Sequence, residues 1–191
     1  MKYFLLTIIS FFAINAFAQE KQFPKDENGK FLYYKVVDSQ TLSGAVLLDR
    51  ARAFISENKK AMKINGTADT SISASGKLII DKTILVAGHP SGELNYNFVF
   101  QVKEGKYRYW FTDFEYIPYQ RDRYGNFVPK TNVATPLEKP VDKLNAGAWK
   151  DVQSAAYTKV AKLSDAFKKH LATDKKAPQT AKDKPISTKK W

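Results

Sequence analysis

Two stretches in which aromatic side chains recur at every second position leave this chain few possible folds. In the first stretch the large apolar residues are Leu94, Tyr96, Phe98, Phe100 and Val102. The second follows Glu104-Gly105 and alternates Tyr107, Tyr109 and Phe111 with Arg108, Trp110 and Thr112. A period of two is typical of strands with one buried face. Because a short turn joins the two stretches, the sequence predicts an antiparallel hairpin.

The alternation changes phase at Asp113. The next large residues are Phe114 and Tyr116, which do not continue the parity of Tyr107 and Tyr109. One extra residue in the strand, a β-bulge, would return them to the buried face. We therefore predict a bulge near Asp113; the alternative is a strand that is covered on both faces.

Two other segments have the periodicity of helices that pack on a sheet. The first extends from Ala45 to Asn58, and Ser43 is expected to cap it. Its apolar side chains fall on one helical face: Leu47, Leu48, Ala51, Phe54 and Ile55. The second covers residues 148–172, with lysines on the outer face and these residues on the inner one: Trp149, Val152, Ala156, Val160, Leu163, Phe167 and Leu171. We expect His170 on the lysine-bearing side.

The remaining segments complete an α+β fold. Phe31–Val37 reads as a strand, and residues 61–88 are β-rich, although the glycines and a turn signal at Asp81-Lys82 leave the number of strands there open. The predicted order is β-α-β-β-β-β-α, with a core over residues 31–117. Residues 118–147 contain several prolines and no period, and we expect a long loop.

Both ends of the chain look different from this core. Residues 1–18 combine a basic start, a short apolar stretch and Ala16-Phe17-Ala18, which is typical of a secretory signal peptide. Removing that peptide would leave no transmembrane segment. Residues 19–30 are expected to form a flexible lead-in. Residues 173–191 are rich in lysine, and we expect a disordered tail.

The charge and the cysteine content bound the chemistry. The formal net charge is +12, which favours anionic partners such as acidic polysaccharide, lipid headgroups or nucleic acid. The alternative is that the charge serves solubility alone. The chain has no cysteine, so it has neither disulfides nor a thiol nucleophile nor thiolate metal ligands.

The inventory of catalytic groups is small. The chain has two histidines: His89, placed in a turn before Pro90, and His170, and neither neighbours a nucleophile or a metal-binding cluster. Asp113 and Glu115 would share a strand face at a separation that glycosidases use, but a solvated strand face, or ion pairs with basic residues of an adjacent strand, is the favoured explanation. No cofactor, no metal site and no catalytic residue is predicted.

Aromatic and basic residues are concentrated between positions 107 and 127. Some of the aromatic side chains must form core, and the others, together with the arginines, would form a platform suited to sugar rings, planar ligands or a peptide. The candidate ligand-binding residues are Arg108, Trp110, Tyr116, Tyr119, Arg121, Arg123 and Tyr124.

Several segments between Phe31 and Tyr116 resemble one known family. They are Tyr34-Lys35-Val36-Val37, the helix around Leu47–Ile55, Phe98-Val99-Phe100, Gly105-Lys106-Tyr107-Arg108-Tyr109 and Phe111-Thr112-Asp113. The chain resembles secreted bacterial proteins grouped as a domain of unknown function with a TATA-binding-protein-like (TBP-like) fold. The resemblance implies a curved antiparallel sheet backed by helices and export from a Gram-negative cell. It supplies neither catalytic residues nor a ligand, and fold alone does not imply function.

We therefore expect a periplasmic or secreted domain that binds an anionic or sugar-containing component of the cell envelope, with the basic tail contributing electrostatically. The alternatives are a protein-protein interaction module of the envelope and an envelope hydrolase that uses Asp113 and Glu115. The expected partners are an envelope glycan, a polyanion or an envelope protein. Nucleic acid is not an expected partner, because the chain carries an export signal.

Overall fold

A computed structural model describes residues 22–84 and 87–173 as seven strands and two helices. In chain order the elements are β1 (Tyr33–Asp38), α1 (Gly44–Glu57), β2 (Met62–Ala68), β3 (Ser71–Ile84), β4 (Ala87–Lys103), β5 (Lys106–Arg121), β6 (Phe127–Pro129), β7 (Thr135–Pro136) and α2 (Ala146–Ala172). The predicted α+β order is confirmed, and β6 and β7 are additional. The predicted signal peptide, and the lysine-rich tail beyond Thr173, lie outside the described residues.

The strands form one antiparallel sheet in the order β1-β5-β4-β3-β2, and β6 and β7 both pair with β5. The predicted hairpin is formed by β4 and β5, with Lys103 opposite Lys106 at its turn. β1 pairs with β5, and this pairing places Tyr34 opposite Trp110. The β-rich segment consists of β2, β3 and the start of β4. β3 continues through Asp81-Lys82, so the turn considered there is wrong.

The predicted bulge is present in β5. Asn95 pairs with Glu115 and Asn97 pairs with Thr112, so two residues of β5 lie opposite one residue of β4. Asp113 adopts a φ of 53°, a left-handed conformation that aspartate tolerates better than most residues. The extra residue returns Phe114 to the buried face, as the phase change in the sequence requires.

Both helices contribute to one core on one face of the sheet. The ring of Phe167 in α2 contacts the rings of Tyr109 and Phe98 in the sheet, with centroids 5.0 and 5.2 Å apart, and that of Phe54 in α1 at 5.2 Å. These edge-on contacts suit aromatic rings and fill the centre of the core. Phe167 is therefore a common contact of both helices and the sheet.

The predicted helical faces are confirmed. The buried residues of α1 are those expected from the periodicity, and the Ser43 Oγ accepts a hydrogen bond from the Val46 amide. In α2 the expected face is buried or half-buried. His170, however, is not on the outer face as predicted: its ring packs edge-on against Phe54 at 5.4 Å.

Two segments are more ordered than their composition predicts. The part of the lead-in that the structure describes buries Phe23, whose ring lies 4.5 Å from that of Phe114. After Pro118, β5 continues to Arg121 and is followed by β6, β7 and the fully buried Leu137. Pro129 and Pro136 are tolerated because β6 and β7 each pair with β5 alone and so lie at an edge, where not every N–H is needed for pairing.

The opposite face of the sheet, here called the open face, is not covered by either helix. Its central side chains are half-buried or exposed: Tyr34, Val36, Ser73, Ser75, Asn97, Val99, Gln101, Arg108, Trp110 and Thr112. They alternate along each strand with the residues of the core, as the period of two predicts. Within residues 22–84 and 87–173, this face is therefore left open to contact with a ligand or a partner.

Candidate functional site

An aromatic pair lies on the open face at the junction of β1 and β5. The rings of Tyr34 and Trp110 have centroids 6.3 Å apart and are tilted by 39°. Tyr34 is 42% exposed and its neighbour Val36 is 51% exposed, whereas Trp110 is half-buried. Cross-strand aromatic pairs stabilise a sheet, and their outer surfaces remain available for contact with another molecule.

Arg108 lies over the same indole ring. Its guanidinium carbon is 5.4 Å from the Trp110 ring centroid, and its Nε donates a hydrogen bond to Gln101 Oε1 at 2.8 Å. Arg108 is exposed, and its terminal NH₂ groups have no partner among the described residues. The stacking and the hydrogen bond restrain the side chain, so these donors are held close to the aromatic pair. Tyr34, Arg108 and Trp110 are here called the aromatic platform.

A polar cleft of ≈ 560 Å³ adjoins this platform. Along β4, Val99 pairs with Trp110, and the next residues of the same parity, Asn97 and Asn95, line the cleft. The other lining residues come from the segment before β2 and from β2, β3, β4 and β5: Lys59, Lys60, Ala61, Met62, Lys63, Ser75, Gly76, Lys77, Tyr96, Asp113 and Glu115. The cleft thus contains more cationic than anionic side chains.

The two carboxylates considered as a catalytic pair, Asp113 and Glu115, both line this cleft. Asp113 forms an ion pair with Lys30 and accepts a hydrogen bond from Asn97 Nδ2 at 3.0 Å. These bonds, the one from Lys30 foremost, hold the pKa of Asp113 below its ordinary value, and the same ion pair raises the pKa of Lys30. Asp113 is therefore ionised at neutral pH and is unsuited to act as a general acid.

Three other predicted binding residues line a second cavity, here called the distal groove. It has a volume of ≈ 1500 Å³ and lies between the far ends of β3, β4 and β5 and the first half of α2. Its lining includes Tyr116, Tyr119 and Arg121.

The hydroxyls of the two tyrosines in the distal groove are already engaged. That of Tyr116 donates to the Ser91 carbonyl at 2.7 Å, and that of Tyr119 donates to Glu93 Oε2 at 2.9 Å. Burial is the main cause that raises the pKa of Tyr119 to about 12, so its hydroxyl remains a donor at neutral pH. These bonds fix the two rings as parts of the wall.

His89 and Arg121 contribute to the distal groove through one ring. The guanidinium of Arg121 lies 5.4 Å from the Phe127 ring, and His89 stacks on the same ring at 5.3 Å with an interplanar angle of 6°. The prediction that His89 lies in a turn is wrong, because β4 begins before it, at Ala87. His89 lies near the start of β4 and lines the distal groove, whereas Asp113 and Glu115 line the polar cleft.

Arg123 and Tyr124 belong to neither surface. They lie in the turn between β5 and β6, where Asp122 accepts hydrogen bonds from the backbone amides of Tyr124 and Asn126. Tyr124 is 79% exposed, and Arg123 lies 5.7 Å from its ring. The structure therefore does not bring the seven predicted residues together: it distributes them over the platform, the distal groove and this turn.

This separation follows from strand geometry. Arg108 and Arg121 are at opposite ends of one continuous strand, which at about 3.3 Å per residue places them roughly 40 Å apart along it. Tyr34 and the lysines of the cleft were not among the predicted binding residues. Tyr34 can be recognised as a candidate binding residue only together with Trp110, its cross-strand neighbour. These two positions are far apart in the chain, so the sequence alone does not reveal the pair.

Two further observations concern metal binding and membrane crossing. Within residues 22–84 and 87–173, no group of three or more histidine, aspartate or glutamate side chains is arranged to hold a metal ion. Neither of the two helices that the structure describes is apolar enough over a sufficient length to cross a bilayer.

Comparisons with known proteins agree on the fold. Residues 33–117 match the family model described as a domain of unknown function (DUF4468) with TBP-like fold. The chain is similar in structure to a TBP-like protein from Parabacteroides distasonis ATCC 8503, with a TM-score of 0.58 and 13% identity, covering 78% of this chain and 96% of that one. It is also similar to a DUF4468 family protein from Bacteroides ovatus ATCC 8483, with a TM-score of 0.52 and 11% identity, covering 79% and 91%. No curated protein matches the chain.

Proposed function

Since residues 33–117 match the model of the DUF4468 family of domains with a TBP-like fold, a family described without a function, we propose a role from the geometry of the open face. The chain is a non-catalytic binding domain of the cell envelope, and its ligand is a sugar-containing, anionic molecule. The envelope location rests on the predicted signal peptide in residues 1–18. The predicted resemblance to this family is confirmed over almost the same residues.

The observation that carries the proposal is the aromatic platform. A half-buried indole, a neighbouring phenol and a restrained guanidinium lie together on a sheet face that neither helix covers. The apolar face of a sugar ring packs well on an aromatic ring, and an arginine beside it can donate to hydroxyl or acidic groups. Because the strands hold these side chains in place before binding, little conformational entropy is lost when the ligand binds.

A protein partner is the second candidate, and it is favoured by a different feature of the same surface. Val36 and Tyr34 are both large and exposed beside Trp110. Tryptophan, tyrosine and arginine are the residues that most often dominate protein interfaces. This alternative predicts that the platform binds an envelope protein and shows no affinity for free oligosaccharides.

A hydrolase that uses Asp113 and Glu115 is supported less well. Catalysis of glycoside cleavage needs one carboxylic acid that stays protonated near neutral pH. Asp113 is held ionised by Lys30 and Asn97, and Glu115 is exposed at the edge of the cleft. If the domain nevertheless cleaved a glycan, Glu115→Gln would abolish turnover and leave binding intact.

The proposal is tested by calorimetric titration of the chain from Gln19 onward with acidic and neutral oligosaccharides. Trp110→Ala is expected to weaken binding at least about tenfold, because it removes the central contact surface. Tyr124→Ala is the matched control, since it removes an exposed aromatic ring outside the platform. Equal loss in both variants, or no binding of any oligosaccharide by the unaltered chain, would contradict the proposal. Pulldown from envelope extracts would then test the protein partner.

A further inference from the structure

The backbone bonds at the two ends of β1 show which of its groups face outward. β1 lies at one end of the sheet and pairs with β5 on its inner side. The amide of Ser39, just after the strand, donates to the carbonyl of Gly105, next to β5. The amide of Leu32, just before the strand, donates instead to Pro24 of the lead-in, on the outer side. Because backbone groups alternate between the two sides of a strand, the even-numbered residues of β1 direct theirs outward.

The outward-directed amides and carbonyls of β1 belong to Tyr34, Val36 and Asp38. In the part of the chain that the structure describes, these groups have no hydrogen-bond partner. The lead-in forms a hairpin with the residues before β1, and this hairpin covers the edge only as far as Leu32. Unpaired backbone groups along a sheet edge are a template on which another strand can pair.

The other edge strands that the structure describes are protected against such pairing. β2 has a bulge between Ile64 and Gly66, and β6 and β7 are short strands that contain proline. Bulges, prolines and short edge strands all keep a sheet from pairing with another chain. β1, by contrast, pairs with β5 in continuous register over six residues, contains no proline, and exposes Tyr34 and Val36 beside its edge.

We infer that a second copy of this chain docks on the outer edge of β1, and that the two sheets join through an antiparallel β1–β1 pair on a two-fold axis at Val36. The three outward-directed residues are centred on Val36, so β1 is complementary to itself. In this register Val36 lies opposite its own copy, and Tyr34 lies opposite the partner's Asp38. Every outward amide and carbonyl of β1 then has a partner.

The side chains of β1 favour this register over its neighbours. Lys35 lies opposite the partner's Val37, so no like charges of β1 face each other across the pair. An axis at Lys35 would place two lysines directly opposite each other, which is unfavourable. An axis at Val37 would place Tyr34 beyond the end of the partner's β1 and leave its backbone groups unpaired. The axis at Val36 is therefore the register that satisfies both the backbone and the charges.

The symmetry of this dimer combines the two aromatic platforms. Residues that lie opposite each other in a strand pair have their side chains on the same face, so both open faces point to the same side. Tyr34 and Trp110 of each subunit then flank the central pair of valines, which gives one apolar surface across four adjacent strands. The dimer involves the sheet edge and goes beyond the proposed function, because it forms whichever ligand the platform binds.

The first test is sedimentation equilibrium of the chain from Gln19 onward over a range of concentrations. One strand pair is a small interface, so we expect a dimer that dissociates on dilution. Val36→Lys places two lysines opposite each other and should weaken the dimer at least about tenfold. The matched control is Thr67→Lys, which adds the same charge at an exposed position of β2 and should leave the dimer unchanged. A monomer at every concentration up to about 1 mM, or equal weakening by both variants, would overturn the dimer.

Mixing two variants tests the register. Val36→Lys and Val36→Glu should each be mainly monomeric alone, because each places like charges on the two-fold axis. An equimolar mixture should form a mixed dimer, because opposite charges then meet at position 36. Val36 is 51% exposed, so neither substitution removes core packing. A mixture that stays monomeric under conditions where the unaltered chain dimerises would place the interface elsewhere and overturn the β1 pair.

Hydrogen exchange distinguishes a second copy from the chain's own first residues. If the lead-in hairpin continued in the same register, residues 19–22 would pair along this edge in place of the second copy. A second copy should slow exchange at the amides of Tyr34, Val36 and Asp38 only at concentrations at which the dimer forms. Slow exchange at every dilution would assign the edge to the lead-in, and fast exchange at every concentration would leave it unpaired. Either result would overturn the dimer, and neither would alter the glycan test of the platform.

Discussion

The hydroxyl of Tyr109 lies 2.8 Å from Ser164 Oγ, at the centre of the interface between the sheet and α2. Tyr109 is 1% exposed, and Ser164 is a buried polar residue in a helix face that is otherwise apolar. The hydrogen bond satisfies both hydroxyls and fixes how α2 lies across β5. It joins β5, which carries Arg108 and Trp110 on the open face, to α2, which packs on the opposite face of the sheet.

Removing this hydrogen bond should destabilise the domain. We expect Tyr109→Phe to lower the free energy of unfolding by about 1 kcal/mol, because it leaves Ser164 Oγ buried without its partner. For a chain of this size that corresponds to a fall of roughly 2–4 °C in Tm. Adding Ser164→Ala to Tyr109→Phe should recover part of the loss, since both polar groups are then absent. Strictly additive losses in the double variant would contradict a direct bond.

Gly76→Ala should be among the most damaging small substitutions. The added methyl group would lie 2.6 Å from the Ala61 carbonyl oxygen, which belongs to the backbone of the neighbouring segment and cannot rotate away. We expect a loss of about 2 kcal/mol or more in urea unfolding. Gly147→Ala is the control: no atom lies within 4 Å of its Cβ position, and alanine in α2 should be neutral or stabilising.

The ion pair between Lys30 and Asp113 should make stability depend on pH. Because the pKa of Asp113 in the folded state is below its ordinary value of 3.8, the unfolded chain binds the proton more tightly. The contribution is thus present above that ordinary value and is lost as pH falls through the folded pKa. Asp113→Asn, which also tolerates the left-handed conformation, should lower the urea midpoint at pH 7, and its difference from the unaltered chain should shrink as the pH falls below 3.8.

The same substitution in a Lys30→Gln background provides the control for that prediction. Without the lysine, the pH-dependent part of the effect of Asp113→Asn should shrink, because the main cause of the lowered pKa is gone. An Asp113→Asn effect that is the same at every pH between 2 and 7 would show that the carboxylate charge does not contribute. Urea midpoints measured over this range decide between the two results.

Phe23 should anchor the lead-in to the domain. Its ring contacts those of Phe31, Phe114 and Tyr157 at centroid distances of 5.7, 4.5 and 5.3 Å. Phe23→Ala is therefore expected to cost about 3 kcal/mol, as other large-to-small substitutions in cores do. Tyr124→Ala, on an exposed turn, should change stability by less than about 0.5 kcal/mol. Similar thermal melting of the two variants would show that residues 22–30 are not part of the cooperative unit.

Local patterns were sufficient for much of the fold. The period of two predicted the β4–β5 hairpin, the phase change predicted the bulge at Asp113, and the helical periodicity predicted the buried face of α1 residue by residue. These features depend on side chains that are close in sequence and on backbone geometry that repeats over a few residues. The same local patterns predicted only a loop for residues 118–147, where the structure has β6 and β7. Short edge strands with prolines have too little periodicity to be recognised.

The candidate site is different, because it consists of residues that are distant in the chain. Alternation along β5 was enough to predict which of its side chains face the core and that Arg108 and Trp110 face away from it. The three-dimensional arrangement was needed to place Tyr34 beside Trp110, to pair Lys30 with Asp113, and to assign Tyr116 and Arg121 to another surface. Strand order and register depend on how the whole sheet packs against both helices, and no local period encodes that choice.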